Sequence, residues 1–401
     1  MRCELVSRRF RPGRGRRALV RQLAALAACA ALLGCATPTP APPQLFADAR
    51  FGAATERVDG LDVFAPSDAM QRYLDGPIRE QLWSEGAAEG LLHALYRRDE
   101  LQLDYDAAQT RDAAHTFAAR KGNCLSLVIM TAAFAKALQL DVSYQVVTTD
   151  DTWSRSGDLV FLSKHVNITL KRKPPMDRHT YETEASMTVD FLPGRDLAAL
   201  PRHEVSERTI VAMYMNNRAA ESLVQGELDQ AYWWARGAVR EAPQETMPYN
   251  TLGVVYLRHG DVDLAESVLR YVLARDARDT RALGNLAVVL ERKGRIEDAA
   301  QVRARLAELE PYPPYHFFLL GMEAMRRGDY REARTEFGKE VERADYSSEF
   351  HFWLGLADLR LGDVDEARKQ IRLAMASSTR SADRDLYAAK LERLRTYAAP
   401  H

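Results

Sequence analysis

The sequence predicts two folded parts, an α+β domain followed by an all-α solenoid of short repeats. Three observations predict it. Gly226, Gly260, Gly294, Gly328 and Gly362 recur every 34 residues, and Ala231, Ala265, Ala299, Ala333 and Ala367 recur in step with them. Upstream, apolar residues at helical spacing run from Leu125 to Leu138, just behind Cys124. Beyond that helix the apolar period changes to two, the spacing of half-buried strands. The composition, 46% apolar and 28% charged, is that of a folded globular chain.

The chain opens on eight arginines and an apolar run of 11 residues, Leu23 to Leu33, too short to span a bilayer. This is the pattern of a secretory signal over residues 1–34. It ends Leu32-Leu33-Gly34-Cys35, which resembles the lipobox of bacterial lipoproteins. The resemblance implies cleavage before Cys35, lipid on its thiol and, with alanine at 36, the outer membrane facing the periplasm. Cys3 and Cys29 would leave with the signal, so Cys124 remains the one thiol and no intrachain disulfide is possible. Eight arginines and one acid leave too, taking the 55 basic and 56 acidic residues to 47 and 55, a net charge of −8. Nothing in that balance suggests a nucleic-acid partner.

Residues 35–62, with Pro38, Pro40, Pro42 and Pro43, read as an extended tether. The α+β domain spans 63–205. Pro66-Ser67-Asp68 opens a short helix to Leu74. A second helix is expected from Pro77 to Arg97, with Ile78, Leu82, Ala87, Leu91, Leu92 and Leu95 as its apolar stripe. A third, from Ala107 to Ala119, leads toward Cys124, and its His115 reads as an ordinary helix residue. Asn123 is a good N-cap, so Cys124 falls in the first turn of the next helix. There the orphan N–H groups and the helix dipole favour thiolate, the nucleophilic form. Gly122 leaves room for a backbone to pass close.

Strands follow at Val142–Val147, Asp158–Leu162, His165–Lys171 and Tyr181–Phe191. In the third, His165, Asn167 and Thr169 share a face; in the fourth, Ser186, Thr188 and Asp190 do. An antiparallel sheet packed on the cysteine helix is the expected α+β arrangement. His165 can take the thiol proton and Asp190 can orient the imidazole. Neither Cys124 nor His165 has a second ligand at zinc spacing, so no metal and no cofactor is expected.

From Thr110 to Pro193 the sequence resembles the transglutaminase-like superfamily of papain-like cysteine enzymes. The residues that carry the resemblance are Thr110-Arg111-Asp112-Ala113-Ala114, Arg120-Lys121-Gly122-Asn123-Cys124, His165-Val166-Asn167 and Val189-Asp190-Phe191. It implies Cys124 as nucleophile, His165 as general base and acid, and Asp190 as orienter. The glutamine that serves papain as oxyanion donor has no counterpart upstream of Cys124, which leaves the Cys124 backbone N–H and an unidentified second donor. Gln145 and Trp153 are candidates for the pocket wall or for plain strand packing.

The 34-residue period resembles the tetratricopeptide repeat, a helix–turn–helix unit. Five units occupy 212–381, with starts near 212, 246, 280, 314 and 348, and a polar capping helix follows in 382–401. Leu252-Gly253, Leu320-Gly321 and Leu354-Gly355 match the family's Leu-Gly pair; the first repeat departs with Arg218-Ala219, as docking on the preceding domain would allow. The resemblance implies a concave groove, on which Tyr315, Phe318, Met322, Met325 and Phe352 would form an apolar surface for a protein or peptide, or else sit in the inter-helix core. Two functions follow. One is a lipid-anchored exported enzyme working by acyl transfer on an amide, hydrolysis or transamidation, with the repeats recruiting a partner or substrate. The other is a non-catalytic envelope scaffold.

Overall fold

The computed structural model describes residues 40–58, 60, 62–96, 103–106, 109–156, 159–171, 186–189, 191, 201–378 and 381–395. The signal, Cys35 and Asp190 lie outside them. Ser67 caps α1 (Asp68–Asp75) by accepting the Met70 N–H. The single helix expected over Pro77–Arg97 is two, α2 (Arg79–Glu85) and α3 (Ala87–Tyr96). Gly86 breaks it with φ +91°, and Gly90 packs so closely on α2 that a Cβ would come within 2.7 Å of the Gln81 carbonyl oxygen. The folded-back pair still buries Ile78, Leu91, Leu92 and Leu95.

A short strand, β1 (Asp104–Tyr105), precedes α4 (Ala113–Ala119) and pairs in parallel with β2 (Lys121–Gly122). The expected start of α4 at Ala107 is corrected: Asp112 accepts the His115 N–H and fixes the start at Ala113. The next helix, α5 (Cys124–Ala137), is buried on every side from Leu125 to Ala135. It packs against β3 (Asp141–Ser156) and β4 (Leu159–Lys171). Three expected strands are thus one long hairpin, with a register shift between Val147 and Thr152. With β5 (Ser186–Val189) and β6 (Arg202–Val205) the sheet is antiparallel in the order β5-β4-β3-β6.

Ten helices then pair into five repeats: α6 (Glu207–Gln225) with α7 (Leu228–Glu241), α8 (Thr246–His259) with α9 (Val262–Arg275), α10 (Thr280–Arg292) with α11 (Ile296–Leu309), α12 (His316–Arg327) with α13 (Tyr330–Arg343), and α14 (Ser348–Leu361) with α15 (Val364–Ala376). A last helix, α16 (Ser381–Arg395), packs on α15. All five periodic glycines sit at positive φ, where an L side chain is strained, and end the first helix of each pair. The periodic alanines are all buried. The Leu-Gly pair has a partner: a Cβ on Gly253, Gly321 or Gly355 would meet Leu269, Phe337 or Ile371 at 3.0, 2.5 or 3.0 Å. In the first repeat the same two positions are Ala219 and Ala235, both fully buried, so smaller residues face each other there.

The apolar core is divided. One cluster runs from the α+β domain through Ala299 of the third repeat, and another begins at Tyr315. Arg303 stands on α11 where the other repeats carry Ala235, Leu269, Phe337 and Ile371, and it pairs with Glu291 at 2.7 Å instead. Pro313 and Pro314 delay α12 to His316, two residues later than expected, and Tyr315 takes a left-handed φ of +65° to enter it.

The tether expected over 35–62 is corrected for its described part. Residues 43–56 lie strapped along the first two repeats. Phe51 stacks on Tyr232 at 3.9 Å with rings parallel to 1°. The Tyr232 hydroxyl donates to Asp48 at 2.6 Å and accepts the Ala47 N–H at 2.9 Å, while Tyr256 donates to the Leu45 carbonyl at 2.8 Å. Farther along, the N–H groups of Gly52 and Thr55 donate to Asp229 and Gln230, and Arg50 pairs with Asp261. Proline-rich composition favours an extended chain, but here Pro43–Leu45 and Asp48–Arg50 each wind into a single 3-10 turn, and the N–H groups of Ala47, Gly52 and Thr55 and the Phe51 ring bind the helical surface.

Candidate functional site

Cys124 opens α5 and is half-buried, and it takes part in no disulfide. Asn123 ahead of it has extended φ and ψ, and its Oδ1 accepts the Ser126 N–H at 2.9 Å and the Ser126 hydroxyl at 3.0 Å. The close approach at Gly122 belongs to the fold itself and not to a passing substrate: a Cβ there would meet Ser126 Cβ at 2.7 Å and Thr116 Cγ2 at 3.2 Å. The Ser126 hydroxyl also accepts the Arg111 N–H at 2.8 Å, and Arg111 in turn pairs with Asp106 at 3.0 Å. The residues before α4 are thereby wound around the start of the cysteine helix.

A second layer comes from the first repeat. Asn123 Nδ2 donates to Thr110 Oγ1 at 2.8 Å, and Asn217 Nδ2 of α6 donates to the same oxygen at 3.3 Å. Glu221, one turn along α6, accepts the Thr110 N–H at 2.6 Å. Its carboxylate also takes Arg218 at 3.0 Å, and Arg218 takes Glu56 of the strap at 2.8 Å. Burial raises the Glu221 carboxyl above its ordinary value, and the bonds from Thr110 and Arg218 pull the other way without cancelling it. On the same junction, burial and then the charge of Asp112 push the Tyr214 phenol up to about 12. Thr110 was visible in the sequence motif. Asn217, Glu221 and Glu56 were not, and the one signal for them was Arg218-Ala219 standing where a repeat has Leu-Gly.

His165 lies on β4 opposite Val147 and is 1% exposed. Asn167 and Thr169 share its face and are buried as well. Thr169 donates to Gln145 at 3.0 Å and meets Thr188 at 2.8 Å, so Gln145 belongs to a polar ladder across β3, β4 and β5. The alternate residues Val166, Ile168 and Leu170 join the apolar core shared with α5. Asp190 follows Val189, which pairs with Ile168; Asp190 itself and the Trp153 side chain lie outside the described residues. His115 is exposed and bound to the carboxylate of Asp112 at 2.8 Å. Among the described residues no group of three or more His, Cys, Asp or Glu is placed to hold a metal ion.

The expected groove surface is corrected in part. Tyr315 and Phe318 are core residues, edge-to-face at 5.8 Å, each 5% exposed. Met322 and Met325 pack against that core, and Phe352 packs on Tyr387 of α16 at 5.0 Å. Their neighbours Tyr312, Leu319 and Leu320 are apolar residues open to solvent. Helix α12 starts two residues late, and aromatic residues at its start were needed to close the divided core.

A family model of the tetratricopeptide repeat matches residues 250–314 and 318–381, and its interruption falls at the divided core. The chain therefore carries tetratricopeptide repeats, units that generally mediate binding of protein partners. Among solved structures it is similar to a thermophilic tetratricopeptide-repeat protein of Thermus thermophilus, at 22% identity over 45% of this chain and 99% of that one, with a TM-score of 0.28. It is also similar to pilF of Pseudomonas aeruginosa, at 21% identity over 48% and 96% with a TM-score of 0.27. A third is MamA of Desulfovibrio magneticus RS-1, at 18% identity over 48% and 99% with a TM-score of 0.25. No curated protein matches the chain.

Proposed function

We propose that this protein is a lipid-anchored enzyme of the cell envelope, of transglutaminase-like or papain-like type, held to the membrane through Cys35. Its repeats bring a protein partner or substrate to the α+β domain. The observation that carries this is the placing of Cys124 at the first position of a capped, wholly buried helix that packs on an antiparallel sheet bearing a buried histidine.

In the proposed reaction His165 takes the Cys124 proton and the thiolate adds to an amide carbonyl. The Cys124 N–H, at the first position of the helix where the dipole is positive, stabilises the resulting oxyanion. The C–N bond then breaks, the amine leaves with the proton from the imidazolium, and a thioester remains on Cys124. Water, or a second amine, gives its proton to His165 and attacks the thioester, which releases acid or new amide and restores the thiol. The role of orienting the second imidazole nitrogen falls to Asp190 by the family resemblance alone.

The test traps the thioester. The full chain is incubated with a glutamine-containing peptide mixture and hydroxylamine, and acyl hydroxamate is measured. Formation that is lost in Cys124→Ala and His165→Ala supports the proposal; equal formation in Cys124→Ala refutes it. The scaffold reading is favoured by a different observation, the exposed Tyr312, Leu319 and Leu320 beside the divided core. A scaffold keeps every partner in a pulldown with Cys124→Ala, and every phenotype.

A further inference from the structure

We infer that the first repeat is part of the cysteine site: Asn217 and Glu221 of α6 are positioning residues that act through Thr110 and Asn123 on Cys124. The inference rests on the proposed function for its chemistry, but the contacts stand by themselves. Two α6 side chains one turn apart converge on one residue. Asn217 donates to Thr110 Oγ1 and Glu221 accepts the Thr110 N–H. Thr110 is 2% exposed, and its hydroxyl has accepted two donors, leaving its own hydrogen for one more bond. Asn123 is the other donor. With Nδ2 held by Thr110, its Oδ1 is aimed at the Ser126 N–H and hydroxyl and caps α5.

An asparagine amide rotates easily, and a loose cap lets the first turn of a helix fray. Fraying would scatter the N–H groups that favour the Cys124 thiolate and cradle an oxyanion. The chain Glu56–Arg218–Glu221–Thr110–Asn123 thus ties the strap, the repeats and the first turn of the cysteine helix into one polar network, buried at Thr110 and Asn123 and open to solvent at Glu56. It also accounts for the first repeat giving up its Leu-Gly pair, since Arg218 is the side chain that orients Glu221. A partner that shifts the first repeat would therefore be felt at Cys124.

The experiment compares the full chain with Thr110→Val, which keeps shape and N–H but removes the hydroxyl, and with Asn217→Ala and Glu221→Gln. Hydrogen exchange is read at the amides of residues 125–127 and, as a control, in the middle of α8. Alkylation of Cys124 by iodoacetamide against pH is read on its own peptide by mass spectrometry. Expected are about fivefold faster exchange in the first turn of α5, unchanged exchange in α8, and a Cys124 alkylation midpoint moved upward, with about threefold to tenfold slower alkylation at neutral pH. Unchanged exchange at 125–127 in both Thr110→Val and Asn217→Ala overturns the inference. Faster exchange beside a Cys124 midpoint that is ordinary in the unaltered chain supports the hold on the cap and refutes the nucleophile reading instead.

Discussion

Phe51→Ala is the most informative single change to the strap. Phe51 is 8% exposed and lies flat on Tyr232, with Tyr256 and His259 at 5.9 and 4.4 Å around it. Truncating a buried phenylalanine costs about 3–5 kcal/mol, of which the ring stack supplies about 0.5–1.5. The strap is a surface element whose neighbours can relax and admit water, so the lower end applies, about 3 kcal/mol. That is about a hundredfold in the ratio of open to docked strap. Trypsin reads it, because Arg50 and Arg57 flank the stretch and the cleavage rate of a fast-opening segment follows its open population. Phe51→Ala is expected to be cut at these arginines about a hundredfold faster, with the helical far-ultraviolet spectrum of the repeats unchanged. Tyr232→Phe, which removes two hydrogen bonds and keeps the stack, is expected to give about tenfold. Equal cutting rates in the unaltered chain and Phe51→Ala would refute the reasoning that the stacked ring holds the strap down.

Other consequences are local. Gly321→Ala sets a Cβ 2.5 Å from the Phe337 ring and is expected to cost about 1–3 kcal/mol in urea unfolding, whereas Gly338→Ala, in the same repeat with nothing within 4 Å, is expected to gain about 0.5–1 kcal/mol. Asp358 is 4% exposed, and burial raises its carboxyl to about 6. The folded state therefore holds a proton that the unfolded state has released, and stability falls as pH rises from the ordinary 3.8 through about 6. Asp358→Asn is expected to be more stable than the unaltered chain by about 1–2 kcal/mol at pH 7.5, with the gain gone at pH 4. Thermal melts at the two pH values check it.

The repeats were legible because each solves one packing problem in the same way every 34 residues. A positive-φ glycine ends the first helix, and a glycine on that helix meets a large residue on the second. The division of the core was legible only in hindsight, from Arg303 and Pro313-Pro314, since a charged residue at one position reads as surface until its neighbours are known. The strap was not legible. Single 3-10 turns in a proline-rich stretch carry no apolar period, and what fixes residues 43–56 are contacts with residues such as Tyr232 and Asp261, some 180 to 210 positions away. The helix expected over Pro77–Arg97 failed at Gly86, where a turn and a continuous helix carry the same apolar stripe. In the site, the Asn123 cap and the start of α5 followed from local chemistry. The support from Asn217 and Glu221 did not, because it depends on how one element docks on another.

The central claim, that Cys124 is a nucleophile served by His165, is tested most directly by the pH dependence of Cys124 alkylation in the full chain with His165→Ala beside it. An ordinary thiol titrates near ~8.5, and one paired with histidine can lie several units lower. A low midpoint that rises in His165→Ala is expected. A midpoint at the ordinary thiol value that the substitution leaves in place would contradict it and leave a repeat scaffold.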